Sequence, residues 1–287
     1  MIKGKPSYPF ETIALAVAFS PRLEALVAET KRFAELFSSK TIFIHVGKRT
    51  SDKERLLKQH LLKYGFNDTN CLVHWQDGNP VETILSVCKN NVVDLLLIGA
   101  LEKEDMMKYY LGSISREICR RAKCSVLMIT DPKLEPVPYK NIVVNGHEHT
   151  KTVHTLGAAI YFAEREGVKE ILVVDEMDLP TLTMSVEEEG TESESGWIKN
   201  SYAQEKTKLS SVIESLDKRN IEIKVKTISG RTGYTIGQFA ESVKADLLVV
   251  NSPDHHLTIF DRIFSHDLEY MLADLPCNML IVHSRVF

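Results

Sequence analysis

The sequence predicts an α/β protein of two tandem domains, each an open parallel sheet of five strands with helices on both faces. Three observations lead there: a long internal repeat, near-continuous apolar strands alternating with helical segments, and a proline-rich joint between the halves.

From Gly78 to Leu96 the repeat holds a single register. Gly78, Thr83 and Ile84 recur 152 positions later as Gly230, Thr235 and Ile236, and Asp94, Leu95 and Leu96 recur as Asp246, Leu247 and Leu248. One inserted residue later, Cys124 and Leu127 face Cys277 and Leu280. The N-terminal parts align at a shorter offset, Thr12 to Val17 with Asn141 to Val144 and Thr41 to Val46 with Glu170 to Val174, so the second half carries an insertion. Asp175 to Gly196 supplies it: eight acidic residues and no basic ones read as a solvated loop within an acidic insertion of about 175–200.

Each element of the first copy follows from its pattern. Strands are expected at 12–17, 41–46, 71–75, 93–98 and 125–130. Between them, Leu23, Leu26, Val27, Phe33, Ala34 and Phe37 fall at helical spacing over 23–37, and further helices are expected at 52–64, 81–90 and 113–121. Runs such as 95–98 and 247–250 suit strands covered on both faces, and the alternation of strand and helix then implies a parallel sheet with right-handed crossovers. Pro132, Pro136 and Pro138 stiffen the joint, which sets domains at 1–133 and 139–287.

The totals narrow the function. In 287 residues a formal net charge of −4 offers no basic face for nucleic acid, and no apolar run approaches the ~18 residues of a membrane span. Five cysteines without CxxC spacing read as small buried hydrophobes of a reducing compartment, so a cytoplasmic protein is expected.

Ligands of such sheets sit beyond the carboxyl ends of the strands, where the strand order reverses. There the first copy places Gly99, at the end of the fourth strand, and Gly112-Ser113 at the start of a helix, whose free N–H groups suit an anion. Turn formation by Gly99 and helix capping by Ser113 are the alternative.

The spacing Gly99-x2-Glu102-x9-Gly112-Ser113, followed by Cys124 to Met128, resembles the universal stress protein family over essentially the whole chain, as two tandem family domains. Nucleotide-binding members carry G-x2-G-x9-G-[ST] there. The resemblance implies Rossmann-like domains whose fifth strands, Val126 to Ile129 and Met279 to Val282, pair edge to edge as an intramolecular pseudo-dimer. It implies ATP or another adenine nucleotide as ligand, with Val17, Val46, Gly99, Gly112, Ser113 and Asn145 as contacts, no metal beyond nucleotide-bound Mg, and signalling in a stress response through a small ligand, a partner protein or a homodimer. Two departures matter. Glu102 replaces the second motif glycine and sets a negative charge toward a triphosphate, and Ala18 replaces the aspartate usual at the first strand's end. In the second copy the motif reads Asn251, Asp254, Phe264 and Ser265, without a glycine, and predicts a structural partner.

Two other readings remain. Asp254, His255, His256, Asp261, His266 and Asp267 offer transition-metal ligand types, although adjacent residues seldom aim at one ion and solvated loop histidines are the plainer account. A nucleotide-free interaction module using the acidic segment is the other. No nucleophile elbow, HExxH or GxxxxGK[ST] motif is found, His45 and His74 fall on strands, and no catalytic residue is assigned.

Overall fold

The structure, a computed structural model, describes residues 8–102, 109–147, 149–178, 209–230, 233–252 and 268–283. The first half runs β1 (Thr12–Ala16), α1 (Leu23–Phe37), β2 (Lys40–Val46), α2 (Ser51–Lys63), β3 (Cys71–Gln76), α3 (Pro80–Asn90) and β4 (Leu95–Gly99). A two-residue ribbon, β5 (Leu101–Glu102) with β6 (Tyr109–Tyr110), then leads to α4 (Ser113–Arg121) and β7 (Ser125–Ile129). The second half runs β8 (Ile142–Asn145), α5 (Thr152–Glu166), β9 (Glu170–Asp178), β10 (Glu222–Gly230), α6 (Tyr234–Ser242), β11 (Leu247–Asn251) and β12 (Asn278–Val282), with short helical stretches at 209–215 and 268–273.

Local chemistry explains several boundaries. The Asn79 side chain accepts from the Val81 and Glu82 amides at 3.0 and 3.1 Å, and Pro80 opens α3 where its missing N–H costs nothing. The Thr50 hydroxyl caps α2 through the Lys53 amide. The repeated aspartates have one job in both copies. Asp94 accepts the Thr12 amide at 2.9 Å, while Asp246 accepts the Lys140 and Asn141 amides at 2.7 and 2.9 Å. Each thus ties the start of the half's first strand to the start of its fourth.

All main strands form one ten-stranded sheet in the order β10-β9-β8-β11-β12-β7-β4-β1-β2-β3. In this sheet every pairing within a half is parallel, and the halves meet through antiparallel β7 and β12, with Met128 opposite Met279 and Leu127 opposite Leu280. The junction is pseudo-symmetric: the Thr130 amide donates to the Asn278 side chain at 2.9 Å, and the His283 amide to the Ser125 hydroxyl at 3.3 Å. The expected pseudo-dimer is therefore an internal sheet junction, and the two fifth strands cover each other's edges.

On one face, α1 and α5 pack beside this junction through aromatic rings. Phe33, Phe37, Tyr139, Tyr161 and Phe162 pack with centroids 5.4–6.0 Å apart, and Phe10 joins Phe37 at 5.0 Å. Arg32 lies over Phe33 and Tyr139, pairs with Glu166 of the other half at 2.7 Å and reaches Glu29 at 3.4 Å. Cys88, Cys119 and Cys124 are buried, and all five cysteines are free thiols. Burial pushes the Cys277 thiol up to about 12.

Two expectations change. The acidic stretch does not open as a loop at Asp175, because β9 continues to Asp178 beside β10. Residues 179–208 lie outside the described residues. The ribbon β5–β6 had no sequence signal, since two residues are too few to show a period.

Burial raises the Glu29 and Glu166 carboxyls above their ordinary 4.5, with Arg32 pulling the other way. The folded chain then holds these protons more tightly than the unfolded chain, a contribution present below pH 4.5 and lost as pH rises through the folded pKa values. Melting temperatures across that window should show the advantage of the wild type over Glu166→Gln shrinking as pH rises; a growing advantage would contradict the assignment.

Candidate functional site

The strand order reverses between β1 and β4 in the first half and between β8 and β11 in the second, so the two candidate crevices lie at the carboxyl ends of these pairs. Because β7 and β12 run antiparallel, the crevices open at opposite ends of the sheet.

In the first crevice the space over Gly99 belongs to the protein. A Cβ built on Gly99 would stand 2.8 Å from Leu26 Cδ1, so the missing side chain admits helix α1 against the strand end. Arg22, the residue before α1, donates to the Ala100 carbonyl at 2.6 Å and to the Thr130 carbonyl, and its guanidinium lies 5.5 Å from the Tyr109 ring centroid. It stitches together the ends of β4 and β7. Glu102 lies on the ribbon opposite Tyr109, exposed. Gly112 precedes α4 in an extended conformation, 3.3 Å by its would-be Cβ from Leu101 Cδ1, and Ser113 is exposed as the first residue of α4.

At the ends of β1 and β2, Val17 is buried and its carbonyl accepts from His45 Nδ1 at 2.9 Å, while Val46 is half-buried. The Phe19 ring packs edge-on against His45 at 4.7 Å and lies 5.8 Å from Trp75, with the Lys53 ammonium 5.4 Å above it. Apolar and cationic side chains thus cover the end of the first strand, where the resemblance expected a ligand-binding aspartate. His45 is a strand-end core residue, as its position suggested, and His74 meets the Asn91 amide nitrogen at 3.3 Å.

The second crevice repeats this arrangement with other chemistry. Asn251 stands where Gly99 does and Thr155 where Leu26 does; the Thr155 hydroxyl donates to Asn251 Oδ1, and Asn251 Nδ2 donates to Thr152 Oγ1 at 3.3 Å. Lys151 precedes α5 as Arg22 precedes α1, and its ammonium reaches the Ser252 carbonyl and hydroxyl at 3.1 and 3.2 Å. Asn145 is buried and its Oδ1 accepts the His147 amide at 2.8 Å, so the side chain turns its own loop. Glu176, 3% exposed, accepts the Gly233 and Ile236 amides at 2.8 and 2.9 Å and occupies the N-terminus of α6.

Of the six expected contacts, then, Val17, Gly99 and Asn145 serve internal packing or bonding, Val46 and Gly112 are half-buried, and Ser113 alone is exposed. Sequence reading missed Arg22, Leu26, Lys151 and Glu176. The repeat aligns Arg22 with Lys151, just before the first helix of each half, and Leu26 with Thr155 one turn on, but it carries no signal for the direction their side chains take. His255, His256 and His266 lie outside the described residues, and among the described residues no cluster of three metal-ligating side chains occurs. No described helix is long and apolar enough to cross a membrane.

Residues 9–130, from β1 through the Gly99–Ser113 loop to β7, match the model of the universal stress protein family. The first half is a universal stress protein domain. The whole chain has the fold of a tandem member, because the second half repeats the strand order and solved structures match across both halves. A Pseudomonas aeruginosa protein assigned to the universal stress proteins superposes with a TM-score of 0.69 at 15% identity, covering 96% of this chain and 94% of its own. A universal stress protein of Archaeoglobus fulgidus superposes with a TM-score of 0.62 at 14% identity, covering 95% and 96%. At such identities these likenesses concern the fold.

If Gly99 is a packing glycine, Gly99→Ala should cost about 1–3 kcal/mol in urea unfolding, the range for overpacking a filled site, and clearly less in a Leu26→Ala background. Equal costs in the two backgrounds would show that Leu26 does not fill that space.

Proposed function

We propose that this universal stress protein is a cytoplasmic stress-response protein that acts by binding and interaction without turnover, and that its first domain works without a bound triphosphate. The packing of Leu26 on Gly99 carries this reading, since the backbone surface that the motif reserves for phosphates abuts a helix. Arg22 supports it, because its charge is already engaged by the Ala100 and Thr130 carbonyls. So does Glu102, whose carboxylate replaces a glycine where phosphate oxygens would approach. In the second domain Asn251, Lys151 and Glu176 satisfy the corresponding polar groups internally.

The absence of turnover rests on the residues at the strand ends. Phe19, His45 and Trp75 pack on one another, and His45 is buried against the Val17 carbonyl, out of position to deprotonate a water in the crevice. The five free thiols suit a reducing compartment.

The test is nucleotide binding by thermal shift, with native mass spectrometry of the purified protein alongside. ATP with magnesium at 100 times a true Kd would add about 2.7 kcal/mol and raise Tm by several degrees. The reading predicts no shift and no co-purified nucleotide. It further predicts none for Glu102→Gly, which repairs the motif but leaves Leu26 and Arg22 in place. Saturable stabilisation of the wild type would overturn it.

A further inference from the structure

Helices α3 and α6 are equivalent under the repeat, and both are followed by a left-handed residue that is not glycine. Val92 after α3 has φ 51° and Lys244 after α6 has φ 52°. Past α3 the Val93 amide donates to the Cys88 carbonyl at 2.9 Å and the Val92 amide to that of Lys89 at 3.3 Å, bonds that close a helix whose next residue is most often glycine or asparagine. A β-branched residue is strained in that conformation. The Val92 side chain is also 70% exposed, so within the chain it gains neither a relaxed backbone nor burial.

Val92 lines a groove of about 430 Å³ between α3 and α4, at the amino ends of β4 and β7 and so at the end of these strands opposite the first crevice. Leu85, Cys88, Val93 and Cys124 give the groove an apolar lining. Its charged residues are Glu82, Lys89, Arg121 and Lys123, one carboxylate against three cations. Arg121 is committed, to Glu82 at 2.6 Å and to Glu117 at 2.7 Å. Lys89 and Lys123 form no ion pair among the described residues. Burial, and then the charge of Lys151, pull the Lys123 ammonium below its ordinary pKa. The second half shares the backbone but not this chemistry: Glu241, Lys244, Asp274 and Pro276 stand where Lys89, Val92, Arg121 and Lys123 do. Neither the valine nor the cations are therefore required by the fold.

We propose that this groove binds a small monocarboxylate with an aliphatic body. Its apolar lining and the Val92 isopropyl group take the aliphatic part, and the unpaired ammonium groups of Lys89 and Lys123 take the carboxylate. An inorganic anion would leave the apolar wall in water, and a neutral aliphatic molecule would leave both cations without a counter-charge, so the ligand has to carry both features. The volume falls within the range of small-molecule sites. Contact with the bound ligand gives the strained valine the apolar partner that the chain does not supply. The site does not depend on whether the first crevice takes a nucleotide, because it lies at the other end of β4 and β7.

Isothermal titration calorimetry of the full chain with decanoate, decanol and inorganic phosphate, each up to about 1 mM, tests this. Decanoate should bind saturably with a Kd of about 100 µM or tighter, and decanol and phosphate at least about tenfold more weakly. Lys89→Glu and Lys123→Glu should each weaken decanoate at least about tenfold, whereas Lys58→Glu, in the separate groove beside α2, should leave it unchanged. Val92→Asn separates a ligand contact from a structural role: it should weaken decanoate at least about fivefold while its Tm is no lower than that of the wild type, because asparagine tolerates the left-handed conformation. Circular dichroism checks folding, and Val92→Asn decides alone should a lysine variant misfold. No saturable decanoate binding, decanol binding as tight as decanoate, or decanoate binding indifferent to Lys123→Glu or to Val92→Asn would overturn the proposal.

Discussion

The antiparallel pairing of β7 with β12 is the constraint on which the rest of the molecule depends. It turns two five-stranded sheets into one and buries the strands that would otherwise be exposed edges; Val126, Leu127, Met279 and Leu280 have no measurable exposure. It brings α1 beside α5, so that a shared set of aromatic rings and the Arg32–Glu166 pair form across the junction. It also clamps the loop after β4 against the other half. The Leu275 amide bonds to the Tyr109 carbonyl and the Leu111 amide to that of Leu272, so the first crevice is walled partly by the second domain.

Under that constraint the two crevices have diverged in sequence while keeping one geometry. A cation at the residue before the first helix reaches the carbonyl just past the fourth strand in both, from Arg22 in one and Lys151 in the other. The helix position one turn on meets the strand end in both, as Leu26 on Gly99 and as Thr155 on Asn251. The apolar contact and the hydrogen bond are alternative solutions to one packing problem. The glycine at the end of the fourth strand thus has a packing role of its own, independent of any ligand.

Much of the fold was legible because the repeat and the apolar periods are local. Strands over Leu95–Gly99 and Leu247–Asn251 carry uninterrupted aliphatic runs, and α1 was bounded to the residue by its spacing from Leu23 to Phe37. β10 was less legible, since Glu222, Lys224 and Lys226 on an edge strand look like solvated coil until the neighbouring β9 is known. The site was legible only in its location. That Leu26 faces Gly99, or that Glu176 reaches across to cap α6, depends on side-chain directions that no spacing encodes, and Glu176 sits in a stretch whose composition reads as an open loop. Glu102 and Ala18 were visible as departures from the motif; the residues that pack around those positions were not.

Native-state hydrogen exchange tests the central claim most directly, through the amides of Val126 to Met128 and of Met279 to Ile281. If the β7–β12 junction makes one cooperative sheet of the two halves, both sets exchange with the same opening free energy and the same dependence on denaturant. Two distinct opening free energies, with one half's fifth strand exchanging while the other stays protected, would contradict it.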